Sequence, residues 1–480
     1  MAARPMSSDD VHDLLDAFRG GADPRETVAD SLARLKEVHE ALNCTIAFLD
    51  DRATAAAADS ARRWADGTAR PLEGVPFAVK DVIDVEGVPT TGGSWVSSDA
   101  PAVRSAEVVR RLESAGAIAI SKDATTEFAV GGPNPPRFGA TRNPWDPRRW
   151  AGGSSMGTAA AVAARAVPFG LGTDVGGSVR LPSAWCGLTG LKPTMGAIPR
   201  TGVLPLSWTV ETVGPLCRSA RDAELLFGLL RGPDGVDPRA GELPPFMPEL
   251  GDDLRGIRVA VVGGYLTEMC DAAVRAGIDA LVASLADAGA EIVEATIPSA
   301  SEVLAIGYRI VFAEAASVHR VNADRWSEYD PVLVSRISQG IAIPAVDYLL
   351  AQQFRVRLQR ELDDVFAGAD LIVVPTCPST APRLPDGTVV VDGEEFPLYA
   401  AQSRSTMLGN LTGAPGLALP TGFAPDGLPV SAQLMAPPHG EAVALRAARV
   451  FQQQTAHHLA VPSVRKLSDV SSGVSGTTPD

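Results

Sequence analysis

The chain has 480 residues, 45 % hydrophobic and 21 % charged, with a formal net charge of −15. That length would admit two or three domains, yet no low-complexity block or linker divides the sequence, so one large buried core is expected. The acidic balance repels nucleic acid and anionic membranes and argues against a general nucleic-acid binder.

In chain order, Asp9 to Phe18 and Pro24 to Ala41 carry apolar residues at helical spacing. Asp9 and Asp10 open the first helix; Asp23 reads as the N-cap of the second, with Pro24 at its first position. Residues 1–70 are thus expected to form a helical N-terminal layer of the same domain. The valine-rich run Val75 to Ile83, punctuated by Gly74, Pro76 and Gly87, predicts a buried strand with Lys80 inside it or at its end. Arg104 to Ala115 predicts an amphipathic helix, Ala117 to Ser121 a short strand, and Gly157 to Gly172 a helix of small residues followed by a strand. The theme recurs at Ile257 to Val262, Ala272 to Gly289, Glu291 to Ile297, Leu371 to Pro375 and Leu417 to Pro420. This βαβ rhythm predicts an α/β fold with helices on both faces of a largely parallel sheet. Residues 299–369 are richer in helix formers and aromatics and read as a helical insertion that could cap a pocket. Residues 464–480, ending SDVSSGVSGTTPD, have the composition of a disordered tail.

The amino terminus is acidic where a signal peptide needs an apolar run of about 7 to 15 residues. The stretch from Thr158 to Leu171 is broken by Arg165 and Pro168 and falls short of the roughly 20 residues of a membrane helix. Cys44, Cys186, Cys217, Cys270 and Cys377 are odd in number, scattered and never paired as C-x-x-C. That pattern predicts reduced thiols in a cytoplasmic protein, without a disulfide framework or zinc site. His457 and His458 lack a third ligand at metal spacing, and the phosphate-loop pattern G-x-x-x-x-G-K-[ST] is absent, so neither metal nor cofactor is expected.

Chemistry concentrates in two serine-bearing, glycine-rich stretches, Gly152-Gly153-Ser154-Ser155 and Gly172-Thr173-Asp174-Val175-Gly176-Gly177-Ser178, with Lys80 upstream. They offer a hydroxyl nucleophile, a second hydroxyl to relay its proton and an amine to receive it. Ser178 follows two glycines, so the amides of Val175, Gly176, Gly177 and Ser178 can converge as an oxyanion hole. None of the six histidines falls in these blocks, and no G-x-S-x-G elbow surrounds Ser178, which leaves Lys80 as the base. A lysine held in an apolar strand loses hydration and can be neutral at working pH. Taken singly, Gly152 to Gly157 reads as a flexible turn and Lys80 as a solvated lysine; their order and separation favour catalysis.

The blocks VPFAVKD, AGGSSMGTAAAVAA and GTDVGGSVRLPSAWCGLTGLKPT resemble the defining blocks of the amidase signature family. Asn143-Pro144-Trp145, Gly214-Pro215-Leu216 and Asn410-Leu411-Thr412-Gly413-Ala414-Pro415 extend the similarity over about Leu72 to Gln453. The resemblance implies a single large domain over residues 71–463, with a twisted mixed sheet flanked by helices. It implies a Ser-cisSer-Lys triad of Ser178 as nucleophile, Ser154 after a cis peptide bond, and Lys80, the serines lying 24 residues apart as in the family. It further implies a buried Asp174–Arg180 ion pair and support from Thr173 and Ser155 through contacts to the loops and the lysine. The implied reaction is metal-independent hydrolysis of linear carbon–nitrogen bonds in a small-molecule amide, urea or carbamate, with a homodimer left open.

The alternative is the amidase component of a tRNA-dependent amidotransferase complex. Val175, where such components generally carry threonine, and Val210-Glu211-Thr212, which departs from their Leu-Asp block, argue against it. Met156 and Asp123-Ala124-Thr125 also depart from the family pattern and are expected to reshape the acyl pocket. Trp95, Phe128, Phe138, Trp145, Trp185, Trp208 and Tyr308 are candidates for its aromatic lining or else for the core, and Arg336 for binding an acidic substrate or else for an ordinary ion pair.

Overall fold

A computed structural model of the chain describes residues 10–249, 251–384 and 387–464. Residues 465–480, and with them nearly all of the expected tail, lie outside the described residues. The second helix begins where its cap predicts and the first opens at Asp10, while Asp9 lies outside the described residues. Asp10 accepts the Asp13 amide ahead of Val11–Arg19, and Asp23 accepts the Arg25 amide ahead of Pro24–Leu42. These contacts satisfy amides that the first helical turn leaves without partners.

Among the described residues, eleven strands form one sheet: β1 (Thr45–Phe48), β2 (Pro76–Lys80), β3 (Ile118–Asp123), β4 (Phe169–Asp174), β5 (Thr189–Lys192), β6 (Thr212–Cys217), β7 (Arg258–Val262), β8 (Glu291–Ala295), β9 (Leu371–Pro375), then, after a separate hairpin of β10 (Thr388–Val391) and β11 (Glu394–Pro397), β12 (Gly416–Phe423) and β13 (Pro429–Met435). Their spatial order is β1-β3-β2-β4-β6-β5-β12-β13-β9-β7-β8. Over residues 10–70 the elements of the N-terminal layer are helices except for β1, which pairs antiparallel with β3 at the sheet edge. The sheet is mixed, which corrects the largely parallel one that the βαβ rhythm predicts. Parallel pairing is confined to β3-β2-β4 and β9-β7-β8, while every pairing from β4 through β6, β5, β12 and β13 to β9 is antiparallel. Part of the reason lies in the connections: β12 turns directly into β13, and β5 reaches its neighbour β6 without the helical crossover usual between parallel neighbours.

Helices cover both faces, and the alternation of β2 shows how the two faces differ. Phe77 and Val79 join one apolar cluster with Phe169 and Leu171, whereas Ala78 joins another with the alanines of helix Met156–Ala163. Period-two alternation therefore turns Lys80 toward the same side as Ala78 and that helix. The helix lies very close to its neighbours: a Cβ on Gly157 would fall 2.1 Å from the Cys44 carbonyl oxygen, so only glycine fits. A third cluster joins β7 and β9 to helices Val303–His319, Pro331–Ala342 and Ala345–Gly368.

β2 and β4 run parallel and end at Lys80 and Asp174, and antiparallel β6 begins at Thr212, the register partner of Asp174. Three strands thus deliver their ends to one edge of the sheet. Among the described residues no helix is long and apolar enough to cross a membrane, and all five cysteines are buried free thiols.

Candidate active site

Lys80 is the last residue of β2, and its side chain is fully buried. Its Nζ donates to Ser154 Oγ at 2.7 Å and to Thr173 Oγ1 at 2.8 Å. Burial, only partly opposed by the negative charges of Glu211 and Asp174, brings the amine from its ordinary 10.5 down to about 7. At neutral pH a large share of the amine is therefore unprotonated, with a lone pair within hydrogen-bond distance of a serine hydroxyl.

Ser154 and Ser155 lead into helix Met156–Ala163, and the Gly153–Ser154 peptide bond is cis. The Ser155 amide donates to the Ser178 carbonyl at 3.3 Å, stitching the two serine-bearing segments together. Ser155 Oγ donates to the Thr173 carbonyl at 3.4 Å. The hydroxyl that meets the lysine besides Ser154 is thus that of Thr173, and Ser155 acts on the loop alone.

The loop after β4 is folded around a carboxylate. Asp174 accepts from Arg180 through Nε at 3.0 Å and Nη2 at 2.9 Å, from the amides of Gly177 and Val179 at 2.8 and 3.2 Å, and from Asn410 Nδ2 at 2.9 Å. Arg180 also donates to Asn410 Oδ1 at 2.6 Å and Gln433 Oε1 at 3.0 Å. Burial opposes ionisation, but the Arg180 charge and these donors hold the Asp174 carboxyl well below the usual range. The Gly177 amide is therefore spent on Asp174, which corrects its expected place among the oxyanion donors. Val175, Gly176 and Ser178 remain, and all three line the same cleft as Ser154. Gly177 has φ +126°, and a Cβ there would fall 2.5 Å from Thr406 Oγ1.

The family model for Amidase matches residues 26–445. The chain belongs to this family. An amidase of Pseudomonas putida is 36 % identical over 454 residues, covering 92 % of this chain and 94 % of that protein. A glutamyl-tRNA(Gln) amidotransferase subunit of Anaeromyxobacter sp. strain K is 36 % identical over 459 residues, covering 89 % and 92 %. Among solved structures, a chain from a vestigial protein complex described for the origins of an s-triazine catabolic enzyme superposes with a TM-score of 0.89 at 32 % identity, covering 95 % of this chain and all of that one. This member of the Amidase family is accordingly a hydrolase acting on carbon–nitrogen bonds.

The cleft of this amidase is partly open to solvent, and the free volume between its walls is about 70 Å³. Of the seven aromatics expected to line it, Tyr308 alone does so; Trp150 and Phe312 line it in addition. Trp185 is core, its Nε1 donating to the Ser379 carbonyl at 3.0 Å, and Trp208 opens onto a separate pocket. Met156 is fully buried in the alanine-rich cluster, and neither it nor Asp123, Ala124 and Thr125 reaches the cleft, whose wall begins at Thr126. Among the described residues no histidine lines the cleft. Arg336 does: its Nη1 donates to the carbonyls of Val130 and Gly131. Sequence reading missed Gln433 as a partner of Arg180, although a glutamine inside the apolar run of β13 is itself a sign of buried polar pairing.

Proposed function

We propose that this amidase cleaves small linear amides through a serine acyl-enzyme, with Ser178 as nucleophile, Ser154 as relay and Lys80 as base. The observation that carries the reading is the 2.7 Å contact between Ser154 Oγ and a buried Lys80 amine brought down to about 7, in a cleft that both serines line. Lys80 takes the Ser154 proton as Ser154 takes that of Ser178, and Ser178 Oγ attacks the carbonyl carbon. The oxyanion faces the amides of Val175, Gly176 and Ser178. The carbon–nitrogen bond breaks as the relayed proton passes to the leaving nitrogen. Water then attacks the ester by the same relay, releasing the acid and restoring Ser178.

The helices between 303 and 368 serve as a cap over the cleft, contributing Tyr308, Phe312 and Arg336. Among the described residues no carboxylate forms an ion pair with Arg336, so the cation is read as the partner of a carboxylate on the substrate. The relay uses side chains alone, and activity is expected to survive chelation by EDTA. Five free thiols suit a reducing, cytoplasmic setting.

The relationship to an amidotransferase component supports a second reading, in which glutamine is the amide and other subunits are required. The two readings separate on the isolated chain: it should release amine or ammonia from neutral and carboxylate-bearing amides unaided. Turnover only on adding an amidotransferase partner would favour the second reading.

A further inference from the structure

We propose that Glu211 is a positioning residue that sets the charge state of Lys80 from the side of a second, solvent-open pocket. The inference rests on the reading of Lys80 as the base.

Glu211 immediately precedes β6, at the same sheet edge where β2 ends at Lys80 and β4 at Asp174. The residue is 3 % exposed, yet it contributes to the wall of a second pocket of about 190 Å³ that Trp208 and the Arg200–Asp237 ion pair also border. Leu206 is the partition. Its side chain lines the substrate cleft, while its amide donates to Glu211 Oε2 at 3.3 Å. The carboxyl therefore stands behind the cleft wall, on a side that substrate in the cleft does not cover.

Other charged groups at this edge are already engaged. Asp174 is held by Arg180. Asp81 faces Lys122 at 3.1 Å. Asp123, the register partner of Lys80, accepts from Ser121 Oγ at 2.8 Å and lies against Thr45. Glu314 accepts from Ser207, Thr209 and Tyr348 and so clamps the segment that leads to Glu211. Lys192 is bonded to the Pro193 carbonyl, and Arg200 to Asp237. Glu211, like Asp123 and Glu314, has no cation in ion-pair contact among the described residues, and of the acids here its negative charge is the largest charge effect favouring the Lys80 ammonium. Burial pushes its own carboxyl up to about 7, against the pull of Arg200 and Lys80. The lysine and the acid thus titrate in one range and influence each other.

The test is the pH dependence of Ser178 labelling by a fluorophosphonate, followed by intact mass, in wild type, Glu211→Gln and Glu211→Asp. The probe reports base activation of the serine without knowledge of the substrate. Removing the anion lowers the pH at which Lys80 loses its proton, so the acid limb of Glu211→Gln should move down by about one pH unit. Labelling on that limb should then be about tenfold faster relative to the plateau. Glu211→Asp should return the limb toward the wild-type position. Unchanged limbs in folded variants, or a limb that moves equally in Asp and Gln, would overturn the proposal. Should Glu211→Gln unfold, Arg200→Gln takes its place: without that cation Glu211 stays protonated to higher pH, and the limb should move down by at least about 0.3 pH unit, roughly twofold in rate. A limb that stays in place there would overturn the proposal too. Labelling that persists in Ser178→Ala would instead defeat the reading of the triad, and this inference with it.

Discussion

Arg180 grips Asp174 with two nitrogens, Nε to Oδ2 at 3.0 Å and Nη2 to Oδ1 at 2.9 Å, with neither side chain exposed. The same carboxylate holds the Gly177 and Val179 amides, so the ion pair and the shape of the serine loop are one structure.

Asp174→Asn should therefore reduce both stability and rate. Losing one partner of a buried pair leaves the other charge uncompensated, which destabilises by about 3 to 5 kcal/mol. Denaturant titration checks the first effect and the acylation rate the second. A variant as stable and as fast as wild type would refute the coupling.

Gly177→Ala should leave a folded protein with a displaced loop. The residue occupies the left-handed side of backbone space at φ +126°, and the added Cβ meets Thr406 and Leu181. Disturbing the neighbouring amides proposed to face the oxyanion is expected to lower kcat by about 10²- to 10³-fold. Steady-state kinetics with an unaltered circular dichroism spectrum would distinguish this from unfolding.

Wild-type kcat/KM should rise with pH through about 7 as Lys80 loses its proton, because only the neutral amine accepts one from Ser154. A profile flat from about pH 5 to 9 would argue against a lysine base.

Lys80→Met should abolish turnover while raising stability at neutral pH. The folded state lowers the lysine from 10.5 to about 7, so between those values the unfolded chain binds the extra proton. The wild-type penalty is full below about pH 7 and fades as pH rises toward about 10. After allowance for the two lost hydroxyl contacts, the gain at about pH 7 should be on the order of 2 kcal/mol. Unfolding midpoints measured near those two pH values test it; a variant less stable at neutral pH would count against the buried, neutral amine.

Arg336→Met should lower kcat/KM for carboxylate-bearing amides by about 10²-fold and leave neutral amides within a few-fold, the loss expected for one charge-assisted hydrogen bond. Equal losses on both classes would remove the assigned carboxylate partner.

Much of the site was legible because its parts are local. Lys80, Ser154, Ser178, Asp174 and Arg180 lie in short blocks whose glycines and hydroxyls point to chemistry, and the structure brings all five to one sheet edge and its adjoining loops. What escaped the sequence is non-local. Gln433 reaches Arg180 from more than 200 residues away, the motif block alone did not reveal that Asn410 would meet the same arginine, and Phe312 enters the cleft beside the expected Arg336 from the helices between 303 and 368. The mixed sheet was implied by the family blocks but not by the βαβ rhythm, for a related reason: helical and apolar rhythm marks where strands occur, but not which distant strand each one pairs with. The Gly177 amide shows a finer limit, since a glycine-rich loop advertises free donors without revealing that a nearby carboxylate already holds one.

The central claim is that Ser178 forms an acyl-enzyme through Ser154 and Lys80, and the most direct measurement is intact mass of wild type and Ser178→Ala after exposure to activated aryl amides, with hydroxylamine to trap the ester. A hydroxylamine-labile acyl adduct on wild type that is absent from folded Ser178→Ala is the predicted result. An adduct of equal yield on both proteins, or turnover by Ser178→Ala at the wild-type rate, would contradict it.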